Sequence, residues 1–167
     1  YIALAECLGG TEEEFAKLMN VYAERLGMTN TNFVNSSGWP DDNHYSTVYD
    51  LGILSNALIK EFPQLYSYFK MEEFTYNDIT QPNRNKLLYQ VQGADGLKTG
   101  FTKESGWGIA ATALRNDRRI TVVINGTNSS RSRLNESSNL INWAFNQTAQ
   151  QTLVEKDQFI KEVDVWL

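Results

Sequence analysis

The stretch Asp95-Gly96-Leu97-Lys98-Thr99-Gly100-Phe101-Thr102 predicts a short β-strand that carries a cation, a hydroxyl and bare backbone in succession. Because alternate side chains of a strand share a face, Lys98 and Gly100 point one way and Thr99 and Phe101 the other. Gly100 has no side chain, so a ligand can lie directly against the amide and carbonyl groups of the strand. Beside that gap, Lys98 offers a fixed positive charge to a carboxylate.

Two further strands follow this stretch. Residues 107–114 and 119–124 are apolar, strand-like runs. Asn116 and Asp117 lie between them and suit a type I′ hairpin turn, because both residue types tolerate positive φ. Together with residues 96–102, these runs predict three successive antiparallel strands, with 96–102 as the accessible one. A helix from Ser132, with apolar residues at helical spacing, is expected to pack back on the sheet.

Helices are predicted upstream of the sheet. Thr11 and Glu14 form a capping box, and Gly27 closes the helix that follows it. Thr47 caps a further helix, which ends before Pro63. The fold class is therefore α+β, with helices packed on an antiparallel sheet. The remaining expectations are a helix from Tyr1 to Leu8, an ordered loop over residues 28–46, and short strands or turns around Phe74–Tyr76 and Leu87–Leu88.

The composition limits the classes of function. With 167 residues, of which 41% are hydrophobic, the chain can bury one sizeable core. A net charge of −5 argues against a nucleic-acid surface, and an anionic substrate would need local cations. Cys7 is the single cysteine, so an internal disulfide is impossible, and we expect a buried, inert thiol. The spacing of His, Asp and Glu suits no metal, and no cofactor is implied.

Several motifs in a fixed order resemble one family, the low-molecular-mass penicillin-binding proteins, which are serine-type D-alanyl-D-alanine carboxypeptidases. The resemblance covers nearly the whole chain and includes Lys-Thr-Gly, one of the sequence elements of that superfamily. The matching stretches are Leu26-Gly27-Met28-Thr29-Asn30-Thr31-Asn32-Phe33 with Asn35 and Gly38, His44-Tyr45-Ser46-Thr47 with Asp50-Leu51, Phe74-Thr75-Tyr76-Asn77, Asn83-Arg84-Asn85, Gly93-Ala94-Asp95-Gly96-Leu97-Lys98-Thr99-Gly100, and the helix from Arg133 to Trp143.

The resemblance implies a β-lactamase/transpeptidase-like fold and cleavage of the terminal D-Ala from peptidoglycan pentapeptide stems through an acyl-serine, with β-lactams as inhibitors. The family also uses a Ser-x-x-Lys pair and a Ser-x-Asn loop, and that loop would lie immediately before Tyr1. We therefore expect residues 1–152 to be the C-terminal portion of such a domain, whose missing N-terminal part would be a partner. Residues 153–167, with a strand over 163–167, are the candidate start of a C-terminal β-rich domain.

The resemblance also implies roles along the strand. Lys98 would orient the substrate and polarise the catalytic hydroxyls; the alternative is a solvated strand lysine, and we favour the functional role. Thr99, and with it Thr102, would bind the terminal carboxylate of a substrate lying along Gly100. The backbone N–H of Phe101 would be one of two oxyanion-hole donors, and such a donor is typically worth ~3 kcal/mol.

Two arginines and a histidine complete the candidates. Arg133 matches an arginine that binds the terminal carboxylate in the family, and a helix-surface arginine is the alternative. Arg84 would line the cleft or form a structural salt bridge. His44 is the single histidine, and we expect it to hold loop backbone, since the family uses lysine as its base.

Two further matches are interpreted as coincidences. Ser67 and Lys70 spell Ser-x-x-Lys, and Ser137 with Asn139 spells Ser-x-Asn, but both lie out of the family's order. We interpret both as belonging to polar surface helices and expect the 167-residue chain alone not to form an acyl-enzyme. The alternatives to the carboxypeptidase are a β-lactamase and a non-catalytic peptidoglycan-binding relative. An exported location in the periplasm or cell envelope follows from the resemblance.

Overall fold

The computed structural model describes residues 1–154 and 156–161. Within them, a three-stranded antiparallel sheet lies between helices, and a two-stranded hairpin lies apart from it. The helices are α1 (Ile2–Gly9), α2 (Glu12–Leu26), α3 (Val48–Glu61), α4 (Pro63–Tyr66), α5 (Leu87–Gln90) and α6 (Ser130–Gln147), with a 3₁₀ turn over Ser67–Lys70. The strands are β1 (Glu73–Tyr76), β2 (Ile79–Pro82), β3 (Ala94–Thr102), β4 (Gly106–Arg115) and β5 (Arg118–Thr127).

The strand order of the larger sheet is β3-β4-β5, which confirms the predicted succession of antiparallel strands and leaves β3 at an edge. Asn116 and Asp117 have φ values of 48° and 60°, as the predicted type I′ turn requires. The same geometry recurs at Asn77 and Asp78, where φ is 47° and 61° and the chain turns from β1 into β2. Short polar residues that tolerate positive φ therefore set both hairpins.

The two faces of the sheet carry different layers. Ile109, Ala111 and Ala113 of β4 form the main core with Ile141 of α6, and Leu87 and Val91 complete it. The opposite face bears α3, which is tied to β5 by a 3.1 Å hydrogen bond from the Thr121 hydroxyl to the Asn56 side chain. Full burial of a side chain such as Ile141 is worth about 1.5–3 kcal/mol.

The predicted helix ends agree with the structure. The hydroxyls of Thr11 and Thr47 each accept a 3.1 Å hydrogen bond from the backbone N–H three residues later, as N-caps do. Gly27 ends α2 in the left-handed conformation, with φ at 80°. Capping residues are strong local signals, because they provide hydrogen-bond partners for backbone groups that the end of a helix leaves unpaired.

Of the strand and the turn expected around Leu87 and Leu88, the strand is wrong, and one expectation about Cys7 is wrong. Leu87 and Leu88 begin the four-residue helix α5, because the Asn85 side chain accepts from the Leu87 N–H and starts a helical turn there. Cys7 is exposed and not buried, since α1 buries only Ala5 among its residues. The expected strand over 163–167 lies outside the described residues, so the C-terminal β-rich domain stays a prediction.

None of the helices in the described ranges combines the length and the apolar character needed to cross a membrane.

Candidate active site

Lys98 lies on the face of β3 away from α6, opposite Ala110 of β4. Its ammonium donates a 2.5 Å hydrogen bond to the Thr99 carbonyl, while the side chain as a whole is exposed. Partial burial of the ammonium lowers its pKa, and the nearby positive charges of Arg84 and Arg133 lower it further. Three cations therefore converge on one end of β3, in a protein whose net charge is −5. Such a cluster suits an anionic ligand.

Thr99 and Arg133 lie together on the other face of β3. Thr99 is opposite Ile109, and Arg133 reaches this face from the first turns of α6. Both side chains are buried, at 9% and 7% exposure, and both line a cavity of about 10 Å³, which is about the size of one water molecule. A buried hydroxyl and a guanidinium next to such a cavity could bind one carboxylate.

Arg133 is held in place by several contacts. One of its terminal nitrogens donates to the Gly100 carbonyl at 3.3 Å, and its guanidinium lies 5.3 Å from the centroid of the Trp107 ring. Burial lowers the pKa of Arg133, and no carboxylate lies close enough to form an ion pair with it in the described part of the chain. The helix-surface alternative is therefore wrong, because Arg133 is buried and faces β3.

The backbone beside Gly100 is open. A side-chain carbon added at Gly100 would meet nothing within 4 Å, so the space over this part of β3 is free. The ring of Phe101 is 53% exposed and lies 4.4 Å from that of Trp107, centroid to centroid. Because β3 is an edge strand, part of its backbone hydrogen-bonding capacity faces away from β4. The oxyanion-hole role of the Phe101 N–H stays a prediction.

The Thr102 hydroxyl is engaged in the turn after β3. It accepts a 2.9 Å hydrogen bond from the Ser105 N–H and lies 2.8 Å from the Ser105 hydroxyl. These bonds hold the connection between β3 and β4. Its role toward a carboxylate stays a prediction.

Arg84 lies in the loop before α5 with an exposed side chain. Among residues 1–154 and 156–161 it forms no ion pair, which goes against the structural salt bridge considered above. Its charge is close enough to lower the pKa of Lys98. Arg84 therefore belongs to the cation cluster around β3.

Replacing Arg84 with glutamine should raise the pKa of Lys98. The substitution removes a positive charge that favours the neutral amine, so the pKa moves up toward its ordinary value. NMR titration of the Lys98 side-chain signals measures the shift, and Arg84→Lys, which keeps the charge, is the matched control. A Lys98 pKa that stays the same or falls in Arg84→Gln would show that the two charges do not interact.

The two coincidental motifs differ in their surroundings. Ser67 is exposed in the 3₁₀ turn, and its hydroxyl donates to the Gln64 carbonyl at 2.7 Å. Ser137 is fully buried in α6 and donates to the Arg133 carbonyl at 2.7 Å, so its assignment to a helix surface is wrong. Ser137 is buried because the same face of α6 carries Ile141 into the core. Each hydroxyl donates to a backbone carbonyl three or four residues earlier in the chain.

His44 holds loop backbone, as expected. Its Nδ1 accepts a 3.3 Å hydrogen bond from the Val34 N–H, and its ring packs edge-on against Phe33. Burial lowers the pKa of the imidazole, which favours the neutral form that can accept this bond. His44 lies in the loop of residues 28–46, and it serves the fold of that loop.

Sequence reasoning missed a set of polar residues behind β3. Asp95, at the start of the strand, is bonded to Tyr66, Thr112 and Arg119, which come from three other elements. A carboxylate at the start of a predicted strand was the available signal, because such a group is buried only when it has partners. The identity of those partners depends on the tertiary fold.

Comparisons with known proteins identify the family. The family model for D-alanyl-D-alanine carboxypeptidases matches residues 1–128. The carboxypeptidase DacC of Escherichia coli is 40% identical over 166 residues, which are 99% of this chain and 42% of the length of that relative. The chain therefore spans less than half of this relative.

Solved structures share the fold. Penicillin-binding protein 6B from Escherichia coli superposes with a TM-score of 0.87 at 34% identity, over 94% of this chain and 50% of that one. Penicillin-binding protein D2 from Listeria monocytogenes, in its ampicillin-bound form, has a TM-score of 0.80 at 33% identity, over 86% of this chain and 60% of that one. These matches confirm the predicted α+β, transpeptidase-like fold. The chain therefore belongs to the D-alanyl-D-alanine carboxypeptidase family of serine peptidases.

Proposed function

We propose that the complete protein containing this chain removes the terminal D-Ala from peptidoglycan stem peptides through an acyl-serine intermediate. One observation carries the proposal: Lys98, Thr99 and Arg133 converge on an edge strand whose backbone is open at Gly100. An edge strand can pair with an extended peptide, and the cations select one that ends in a carboxylate. Membership of the family supplies the reaction class.

In this proposal, the residues have separate roles in binding the substrate and in the reaction. Arg133 and Thr99 bind the terminal carboxylate, and Lys98 stabilises negative charge and orients the attacking hydroxyl. The Phe101 N–H donates to the oxyanion as it forms, and Arg84 adds positive charge at the rim of the cleft. Electrostatic groups held in place before the reaction are the largest contribution in many enzymes. β-Lactams would acylate the same serine, in keeping with the ampicillin-bound and cefotaxime-bound relatives.

We also propose that the apolar side of α2 packs against the remainder of the same domain. An apolar cavity of about 280 Å³ opens between α2, α3 and the loop that joins these two helices. Its lining residues are Phe15, Leu18, Met19, Tyr22, Ala23, Leu26, Met28, Phe33 and Leu54. Among the described residues, the outer edge of β5 is also unpaired, and an exposed edge of this length is normally covered. The proposed location is the periplasm or cell envelope, where the peptidoglycan substrate is found.

Labelling with a fluorescent penicillin tests the reaction class. The complete protein should form a covalent band on a denaturing gel, and the 167-residue chain alone should not. The Ser67→Ala variant of the complete protein should label as strongly as the wild type, because the Ser67 hydroxyl is engaged by the Gln64 backbone carbonyl. A band that disappears in Ser67→Ala would make Ser67 the nucleophile and overturn the assignment. Rapid loss of the label with hydrolysed penicillin would indicate a β-lactamase.

A further inference from the structure

Four polar side chains from four elements meet behind the active strand. The Asp95 carboxylate of β3 accepts hydrogen bonds from the Tyr66 hydroxyl of α4 at 2.8 Å and from the Thr112 hydroxyl of β4 at 2.7 Å. Arg119 of β5 donates to both carboxylate oxygens, each at 2.8 Å, in a bidentate pair. Arg119 also donates to the Tyr66 and Thr112 hydroxyls, each at 3.2 Å. This set is called the Asp95 cluster below.

The Asp95 cluster coincides with an irregularity in β3. Ala94 pairs with Ala113, whereas Gly96 pairs with Thr112, so Asp95 is an extra residue in the ladder, a β-bulge. A slip of one residue in a strand moves every later side chain to the opposite face. The bulge at Asp95 therefore determines which face Lys98 presents and which face Thr99 presents.

The cluster is partly buried and electrostatically matched. The side chains of Arg119 and Asp95 are 23% and 20% exposed, so their ion pair is only partly screened by solvent. Burial alone would raise the pKa of the Asp95 carboxyl, but hydrogen bonds from Arg119, Thr112 and Tyr66 hold it below its ordinary value. Burial also raises the pKa of Tyr66 to about 12, which keeps its hydroxyl protonated as a donor.

Two contacts of Gly96, the residue after Asp95, restrict the backbone next to the bulge. A side-chain carbon at Gly96 would lie 2.7 Å from the Tyr66 hydroxyl oxygen, so glycine is needed for the close approach of the tyrosine. The buried Asn85 side chain donates a 2.9 Å hydrogen bond to the Gly96 carbonyl. The backbone is thus restrained at Gly96, immediately after the position where the register changes.

We propose that Tyr66, Asp95, Thr112 and Arg119 are positioning residues, which hold the β3 bulge so that Lys98 and Thr99 face the substrate correctly. The inference rests on the proposed function for its effect on catalysis. These four residues act through the backbone of β3, and Asp95 lies three residues before Lys98. A displacement of about 1 Å in such a strand can cost roughly a hundredfold in rate.

The test uses the complete protein with Asp95→Asn and the milder Tyr66→Phe. In Asp95→Asn, an amide NH₂ meets the donors of Arg119 and the bidentate pair is lost. We expect the second-order rate of acylation by penicillin to fall by roughly tenfold to a hundredfold in Asp95→Asn, and by less in Tyr66→Phe. Arg119→Lys keeps the positive charge but loses the bidentate geometry of the guanidinium. Its acylation rate should therefore lie between those of Arg119→Gln and the wild type.

Arg118→Lys is the matched control. Arg118 precedes Arg119 on β5 but donates to the Ala144 carbonyl and to Thr148, away from β3. Its acylation rate should stay within about twofold of the wild type, as for a substitution outside the site. Hydrogen exchange gives a readout that does not depend on activity: in Asp95→Asn, the amides of residues 96–100 should exchange faster, while those of residues 119–124 should not.

Two results would overturn the inference. One is acylation by Asp95→Asn at the rate of Arg118→Lys. The other is a uniform rise in exchange over β3, β4 and β5, which would mean that the cluster only stabilises the fold. If the wild type itself is not acylated, the proposed function fails, and the exchange pattern alone then decides whether the Asp95 cluster positions β3.

Discussion

Replacing Lys98 with alanine in the complete protein is expected to lower the rate of D-Ala release by roughly a hundredfold or more, the usual effect of removing a preorganised electrostatic group. Lys98 lies on the opposite face of β3 from Thr99, next to the open backbone at Gly100, and it has been partly desolvated by the fold. The measurement is kcat/KM on a peptide that ends in D-Ala-D-Ala.

The loss should not come from unfolding. Among the described residues, the Lys98 ammonium bonds only to the neighbouring Thr99 carbonyl, and its side chain is exposed. The free energy of unfolding should therefore change by no more than about 0.5 kcal/mol, as for other surface substitutions. Lys98→Arg keeps the charge in a different shape and should retain part of the activity. If the activity of Lys98→Ala stays within about threefold of the wild type, Lys98 is a solvated strand lysine without a role in the reaction.

Arg133→Ala should reduce activity selectively on substrates with a free terminal carboxylate. A hydrogen bond to a charged group is worth about 1.5–3 kcal/mol, so kcat/KM should fall by roughly tenfold to 150-fold on such a peptide. On the same peptide with an amidated C-terminus, the loss should be much smaller, because there is no carboxylate for the guanidinium to bind. The experiment compares both peptides in the wild type and in the variant.

The comparison of the two peptides separates recognition from structure. Arg133 is buried and bonded to the Gly100 carbonyl, so its removal also disturbs the strand. That disturbance affects both peptides equally and cancels in their ratio. Arg133→Lys, which keeps a positive charge but loses the bidentate fork, should give an intermediate ratio. Equal losses on the two peptides would mean that Arg133 supports β3 and does not bind the carboxylate.

Local patterns allowed much of the fold to be predicted. The caps at Thr11 and Thr47 and the turn at Asn116-Asp117 depend on residues within a few positions of one another. The alternation along β3 placed Lys98 and Thr99 on opposite faces for the same reason. Two apolar residues, Leu87 and Leu88, were too few to separate a strand from a helical turn.

The rest of the site depends on contacts between distant parts of the chain. The partners of Asp95 lie 29, 17 and 24 residues away in sequence, at Tyr66, Thr112 and Arg119. The bulge that they hold cannot be inferred from the spacing of residues along β3. The surroundings of Arg133 stayed open and the surface assignment of Ser137 was wrong for the same reason: the face of α6 that is buried depends on how the helix packs on the sheet.

The most direct test of the account is the release of D-alanine by the complete protein from a peptide that ends in D-Ala-D-Ala. The account predicts that one D-alanine is released per peptide, that penicillin blocks the release, and that Lys98→Ala lowers it by roughly a hundredfold. Binding of the peptide without release of D-alanine would contradict the account and indicate a non-catalytic peptidoglycan-binding protein.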